Sequence, residues 1–247
     1  MTKRCALPLL CLVLLSHAVA YSGEWRVSPI RLEMGRDAKS GVVTVYNETD
    51  EPLQVQMKAF EWTQDAEGKD LYAETEDLLF FPKIMIFTKK EDRILRAGIR
   101  VPAAKKEKSY RLYVEEIPGP RKAEGVNVAI AIRVGVPVFV KPLKEETKGE
   151  VGKMGMEQGV LRIPVRNAGN VHFVIRSITV TGENGKGEKV FSRDISGWYL
   201  LADSSRLYTT EVPKEVCTEV VKVAAEARTD RFSFSGEFLP DRTMCGP

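Results

Sequence analysis

Between Val126 and Val136, six β-branched residues (Val126, Val128, Ile130, Ile132, Val134 and Val136) occupy every second position. Side chains alternate across a β-strand, so an extended segment puts all six on one face and Asn127, Ala129, Ala131, Arg133 and Gly135 on the other. Two settings satisfy this pattern. In the centre of a β-sandwich the aliphatic row faces the core. At a sheet edge the row and the open backbone are available to another protein, which can add or receive a strand. Edge strands usually carry charges, prolines or bulges against unwanted pairing. The six aligned positions hold no charge, and the first interior proline, Pro137, comes after the alternation. Periodicity leaves centre and edge open.

The rest of the chain follows the same period. Residues 41–46 and 53–60 are rich in β-forming side chains, with the polar turn cluster Asn47–Pro52 between them. Residues 78–81, 84–87, 94–101 and 110–114 continue the series. Lys141–Glu150 is charged and lacks apolar periodicity, as a solvated linker would. Beyond it, strands are expected over 160–165, 172–180, 189–192, 207–212 and 232–238, with a hairpin turn at Gly182–Gly187. Lys214–Ala227 combines Ala, Glu and Lys with many valines, and helix and strand both stay open there. Two stretches of about seven short strands each predict an all-β chain of two tandem β-sandwiches. The expected division is 1–20, 21–143, 144–150 and 151–247: leader, first domain, linker, second domain. No internal sequence repeat links the two domains.

Lys3 and Arg4, the largely apolar run Cys5–Ser16 and Ala18-Val19-Ala20 read as a secretory signal peptide cleaved after Ala20. Its apolar run is too short to span a bilayer. The remaining 227 residues carry 35 Lys and Arg against 34 Asp and Glu, a net charge of +1. That balance gives no reason to expect nucleic acid as a partner. One histidine, His172, and two cysteines, Cys217 and Cys245, remain. Together they cannot make a four-ligand zinc site without recruited carboxylates, and any nucleophilic triad would have to be built on His172 alone. No metal, cofactor or small-molecule substrate is expected, and composition disfavours an enzyme. In an exported chain the two cysteines suggest one disulfide near the C-terminus.

Several segments, in order, resemble the periplasmic pilus-assembly chaperones of the chaperone–usher pathway, the PapD-like family. Val27–Glu33 is similar to the family's first strand, with Arg31 at its cleft arginine. Asn47 after a strand, Leu78–Pro82 and Ile94-Leu95-Arg96 match further elements, and Tyr110–Pro118 is similar to the Tyr-Arg-x-x-x-x-Glu-Ile-Pro hallmark. The alternating strand and Val138–Pro142 resemble the last strand of the first domain. Asn167–His172 looks like the Asn-x-Gly-Asn-x-His turn of divergent branches.

The resemblance implies two immunoglobulin-like domains in an L shape, in the periplasm, holding incomplete pilus subunits before an outer-membrane usher takes them. Val128, Ile130 and Ile132, flanked by Val126 and Val134, would be lent to the subunit's open groove. Arg31 would hold a subunit carboxylate. The family's lysine partner in that anchor is replaced here by Pro137, and Arg133 or Lys141 would substitute, Arg133 preferred. Arg96 and Glu116 stand at positions of a structural ionic network between domains. His172 is expected to be a structural hydrogen-bonding residue, Lys105–Lys108 a solvated loop, and the N-glycosylation pattern at Asn47-Glu48-Thr49 without meaning. The rival reading is an exported structural or adhesive protein of two immunoglobulin-like domains, which would need neither the Tyr110–Pro118 hallmark nor an uncharged alternating strand. A hydrolase built on His172 comes last.

Overall fold

A computed structural model describes residues 25–119 and 130–246. Expectations for residues 1–20, and for Val126 and Val128, lie outside the described residues. The first unit holds β1 (Trp25–Ser28), β2 (Leu32–Met34), β3 (Ser40–Asn47), β4 (Leu53–Gln64), β5 (Asp70–Glu74), β6 (Leu78–Phe81), β7 (Ile84–Phe87), β8 (Asp92–Ile99), β9 (Lys108–Glu116) and β10 (Arg133–Val140). One sheet runs β1-β3-β8-β6; the other runs β2-β10-β9-β4-β5, with β7 also paired to β4. Alternation decides what faces inward: Leu53, Val55, Met57 and Ala59 of β4 are buried, as are Tyr110, Leu112 and Val114 of β9. They meet Val43, Val45, Leu95 and Ala97 of the opposite sheet in a single core.

The second unit holds β11 (Gly149–Val151), β12 (Gly155–Glu157), β13 (Val160–Asn167), β14 (Phe173–Asn184), β15 (Lys189–Ser196), β16 (Tyr199–Leu200), β17 (Ser205–Glu211), α1 (Lys214–Cys217), β18 (Val220–Thr229) and β19 (Ser233–Phe238), then a 3-10 turn at Arg242–Cys245. β13 pairs β11, β12 and β17; the facing sheet runs β15-β14-β18-β19, with β16 also on β14. Its core centres on Leu161, Ile163, Phe173, Ile178, Val180 and Val223. The chain is two β-sandwiches in tandem.

The open segment Lys214–Ala227 is both things in turn. A four-residue helix ends at Cys217, and the valine-rich remainder is β18. The stretch read as linker is shorter than expected, because Gly149 already pairs with Asn167 in β11. At the β14–β15 turn, Asn184 Oδ1 accepts from the Lys186 and Glu188 amides while Gly187 takes φ +78°, which a glycine adopts without a Cβ penalty. Cys217 and Cys245 form a disulfide.

Each sandwich is plugged by a buried asparagine. Asn47 Nδ2 donates to the carbonyls of Glu51 and Thr88 at 2.8 Å each, which satisfies turn carbonyls where sheet pairing cannot. Asn167 does the same for Val171 and Leu200. A glycan on Asn47 is incompatible with this structure, since its amide nitrogen is buried and fully used.

Candidate functional site

β10 carries the site, and its two halves are paired differently. Along its whole length, Arg133–Val140, it is antiparallel to β9. On its other side β2 covers only Val138–Val140, in parallel register from Val138 opposite Leu32 to Val140 opposite Met34. Among the described residues, Arg133–Pro137 therefore has a strand on one side only. The segment is central at its end and an edge at its start. Pro137 suits the boundary, because a missing amide hydrogen costs nothing where no neighbour accepts from it.

The aliphatic row crosses that boundary. Val136, Val138 and Val140 are fully buried, whereas Ile132 and Val134 are partly buried against the same core. Ile130, next in the row, is 80% exposed. Among the described residues, the core of the first sandwich thus runs out along its own open strand as far as an unburied isoleucine.

The opposite face of this sheet looks toward the second unit and is rich in cations and aromatic rings. β9 places Arg111, Tyr113 and Glu115 there, and β4 places Phe60, Trp62 and Gln64. Arg133 bonds Glu115 at 2.7 Å and lies 3.6 Å over the Tyr113 ring, and Lys58 also reaches Glu115, at 2.9 Å. Gly135 makes room for Tyr113: a Cβ there would stand 2.8 Å from its ring. On β2, Glu33 bonds Arg31 and Lys141, both at 3.1 Å. Partial burial alone would push the Glu33 carboxyl up, but Lys141 and Arg31 outweigh it and hold it below the usual carboxylate range. Burial, with Asp70 beside it, pushes the Tyr72 phenol up to about 12.

Arg31 and Arg133 are not brought together. One step back along the β2–β10 register, Arg31 stands at the level of Pro137. Arg133 lies four residues away, roughly 13 Å along the strand, where it shares the Glu115 carboxylate with Lys58. The cation nearest Pro137 on β9 is instead its cross-strand partner Arg111. In the sequence, Arg111 stands inside the Tyr110–Pro118 motif, where the resemblance assigns it no role. Its signal was available: within Tyr110–Val114, Arg111 and Tyr113 alternate away from the core-facing residues.

Arg96 and Glu116 form no ion pair with each other. Arg96 is exposed on β8, opposite Val42 and Phe81, in the sheet that does not carry β9. The Glu116 carboxylate accepts from the Ile132 amide at 3.2 Å, which holds the start of β10 against the end of β9. The contact between units is made elsewhere. Trp62, Phe139 and Leu201 form a small buried cluster with Tyr199 packed on it. His172 stacks on Phe139 with centroids 3.4 Å apart, and its Nδ1 meets Glu107 Oε1 at 2.7 Å. The Glu107 carboxylate also accepts from the His172 amide. Within Lys105–Lys108 the first two lysines are exposed, as a solvated loop requires, with Lys106 bonded to Asp203 of the second unit; Glu107 departs from that expectation, being buried in this contact. Asn170 completes it by donating to the carbonyls of Lys105 and Lys144. His172 is a structural residue, held by stacking and hydrogen bonding.

Residues 25–145 match the N-terminal domain of the pili and flagellar-assembly chaperones, PapD. The first unit is thus a PapD-like chaperone N-terminal domain. No curated protein matches the sequence. Among solved structures, a chain of the CsuC–CsuE chaperone–tip adhesion subunit pre-assembly complex of Acinetobacter baumannii archaic Csu pili is 19% identical, with a TM-score of 0.61 over 86% of this chain and 97% of that one. The E. coli chaperone DraB is 18% identical, with a TM-score of 0.53 over 88% and 96%. A chain of the Salmonella enterica SafA pilin–SafB chaperone complex is 13% identical, with a TM-score of 0.57 over 89% and 98%. At such identities the likeness is one of fold: two immunoglobulin-like domains spanning nearly the whole of each relative.

Proposed function

We propose that this chain is a periplasmic chaperone that holds incomplete pilus or fimbrial subunits by lending them a β-strand, then yields them to an outer-membrane usher. The observation that carries this reading is the half-covered β10. Its edge is open over Arg133–Pro137 while its aliphatic row continues outward to an 80% exposed Ile130. A subunit lacking one strand offers the complement, a groove with unpaired backbone on either side. Pairing along the open edge satisfies the backbone of both chains, and every second side chain fills a groove pocket. Each aliphatic side chain buried this way contributes about 1.5–3 kcal/mol. The CsuC–CsuE and SafA–SafB structures, each a chaperone with its subunit, support the choice of partner.

Strand lending is non-covalent and requires no cofactor, in keeping with a non-enzymatic role. In the sequence, Val126 and Val128 continue the alternation that Ile130 and Ile132 belong to, and the signal peptide delivers the chain to the compartment where subunits emerge. The test is co-expression with secreted subunits encoded beside this chain's own gene. Ile130→Asp, at an exposed position, leaves the chaperone folded and abolishes co-purification of the subunit. Retention of the subunit by Ile130→Asp and by the double variant with Ile132→Asp would show that this row is not lent.

A further inference from the structure

The open half of β10 meets its covered half at a proline. The Glu116 amide donates to the Ile132 carbonyl at 2.9 Å, so the even residues of β10 turn their backbone groups to β9. Arg133, Gly135, Pro137 and Phe139 turn theirs to the other side. There the parallel register sets Val138 opposite Leu32 and Val140 opposite Met34, and the Lys141 amide donates to the Met34 carbonyl at 2.8 Å. Carried back two residues at a time, the same repeat has the Phe139 amide donating to Leu32 and the residue 137 amide donating to Ile30. Proline has no amide hydrogen to donate, although its carbonyl can still accept from the Leu32 amide. The ladder breaks at that step: β2 starts at Leu32, and Ile30 is 78% exposed. Past the break, the Gly135 carbonyl has only the contact from Arg111 Nη1 among the described residues, long at 3.4 Å.

We infer that Pro137 is a positioning residue for strand lending: by withholding one amide it stops β2 from zipping along β10, and it sets where an added strand must end. This rests on the strand-lending reading above, which brings a polypeptide along the open edge. With an amide at 137, Ile30 would be held by its carbonyl, and its own amide would fall to the Gly135 carbonyl next. A segment tethered at Leu32 competes for that carbonyl at an effective concentration that a separate protein does not reach. Proline removes the first of these bonds and so leaves the second unmade. Gly135 is then the last residue of the edge with both its amide and its carbonyl free, and the partner's strand and β2 share one side of β10 end to end with the proline between them.

The test is Pro137→Ala in the full chain, labelled with 15N, with amide exchange read residue by residue. In the free variant the new amide at 137 and the Ile30 amide are protected at least about tenfold over an open strand edge. The co-expressed subunit dissociates from the variant at least about fivefold faster than from the wild type, the net worth of one backbone hydrogen bond. An amide at 137 that exchanges as an open edge does, or a subunit held as tightly as by the wild type, overturns the inference. A second reading uses the wild-type protein alone and with its subunit. On binding, the Arg133 and Gly135 amides become protected, while the Leu32 amide, on the β2 side of the stop, keeps the protection it had. Loss of protection at Leu32 would mean that the incoming strand displaces β2, and overturns the inference as well. If Pro137→Ala holds the subunit while Ile130→Asp loses it, strand lending stands and only the stop is wrong.

Discussion

Single residues here are best understood by asking which charge each one answers. Asp77 Oδ2 accepts from Lys108 Nζ at 2.9 Å and from the Tyr110 hydroxyl at 3.2 Å, tying the segment before β6 to the start of β9. The Lys108 hydrogen bond holds its carboxyl below the usual range, against a smaller upward push from burial. A carboxyl whose folded pKa is depressed stabilises the fold above its unfolded value, about 3.9, and loses that contribution as pH falls through the lower folded value. Asp77→Asn therefore lowers the Tm at pH 7 but by much less at pH 3, as thermal unfolding at the two pH values will show. An equal difference at both would mean the carboxylate charge contributes nothing. The same scale shows what sequence reading could not reach. Glu107 sits in a run of lysines, and local composition marks such a run as solvated; only the fold places its carboxylate against His172, 65 residues away. Arg111 was visible as an off-core residue in an alternating strand, but that no carboxylate among the described residues bonds it depends on the fold, which pairs Glu33 with Arg31 and Lys141 and Glu115 with Lys58 and Arg133.

At the scale of elements, strands were legible wherever side chains alternate, because one buried face per strand imposes period two on the sequence. β4, β9, β13 and the start of β14 follow it closely. What alternation cannot show is how far a neighbour extends. β10 is half edge because β2 is three residues long, and β2 lies about a hundred residues earlier in the chain. Lys214–Ala227 was ambiguous for a related reason. Its first turn is helical, and its valines pair in β18, so a single assignment for the whole stretch could not be right. The disulfide joins these elements, linking the end of α1 to the 3-10 turn across a separation of 28 residues. Restricting a loop of that length in the unfolded chain stabilises the native state by about 3–4 kcal/mol. The Cys217→Ser, Cys245→Ser double variant should lose close to that amount in urea unfolding of the second unit. A loss under about 1 kcal/mol would indicate that the unfolded chain is already restricted there.

Over the whole molecule, two sandwiches were readable from the number and spacing of strands, while the contact between them was not. Trp62, Phe139 and Tyr199 lie on faces turned away from the two cores, where a sequence pattern suggests solvent, yet together they form a third buried cluster. Trp198 donates to Asp70, and Gln64 bonds both the Tyr199 carbonyl and the Leu201 amide, so the first unit's β4–β5 hairpin is fastened to the second unit at several points. This fastening orients the cation-rich face of β9 and β10 toward the second domain, while the aliphatic row of β10 stays only partly buried at Ile132 and Val134 and exposed at Ile130. Amide hydrogen exchange on the chaperone, alone and in complex with its subunit, tests that division of labour most directly. Strand lending predicts that exchange slows strongly over residues 126–137 on subunit binding, while β4, β9 and the contact between the units change little. Unchanged exchange over 126–137, with new protection confined to another surface, would contradict it.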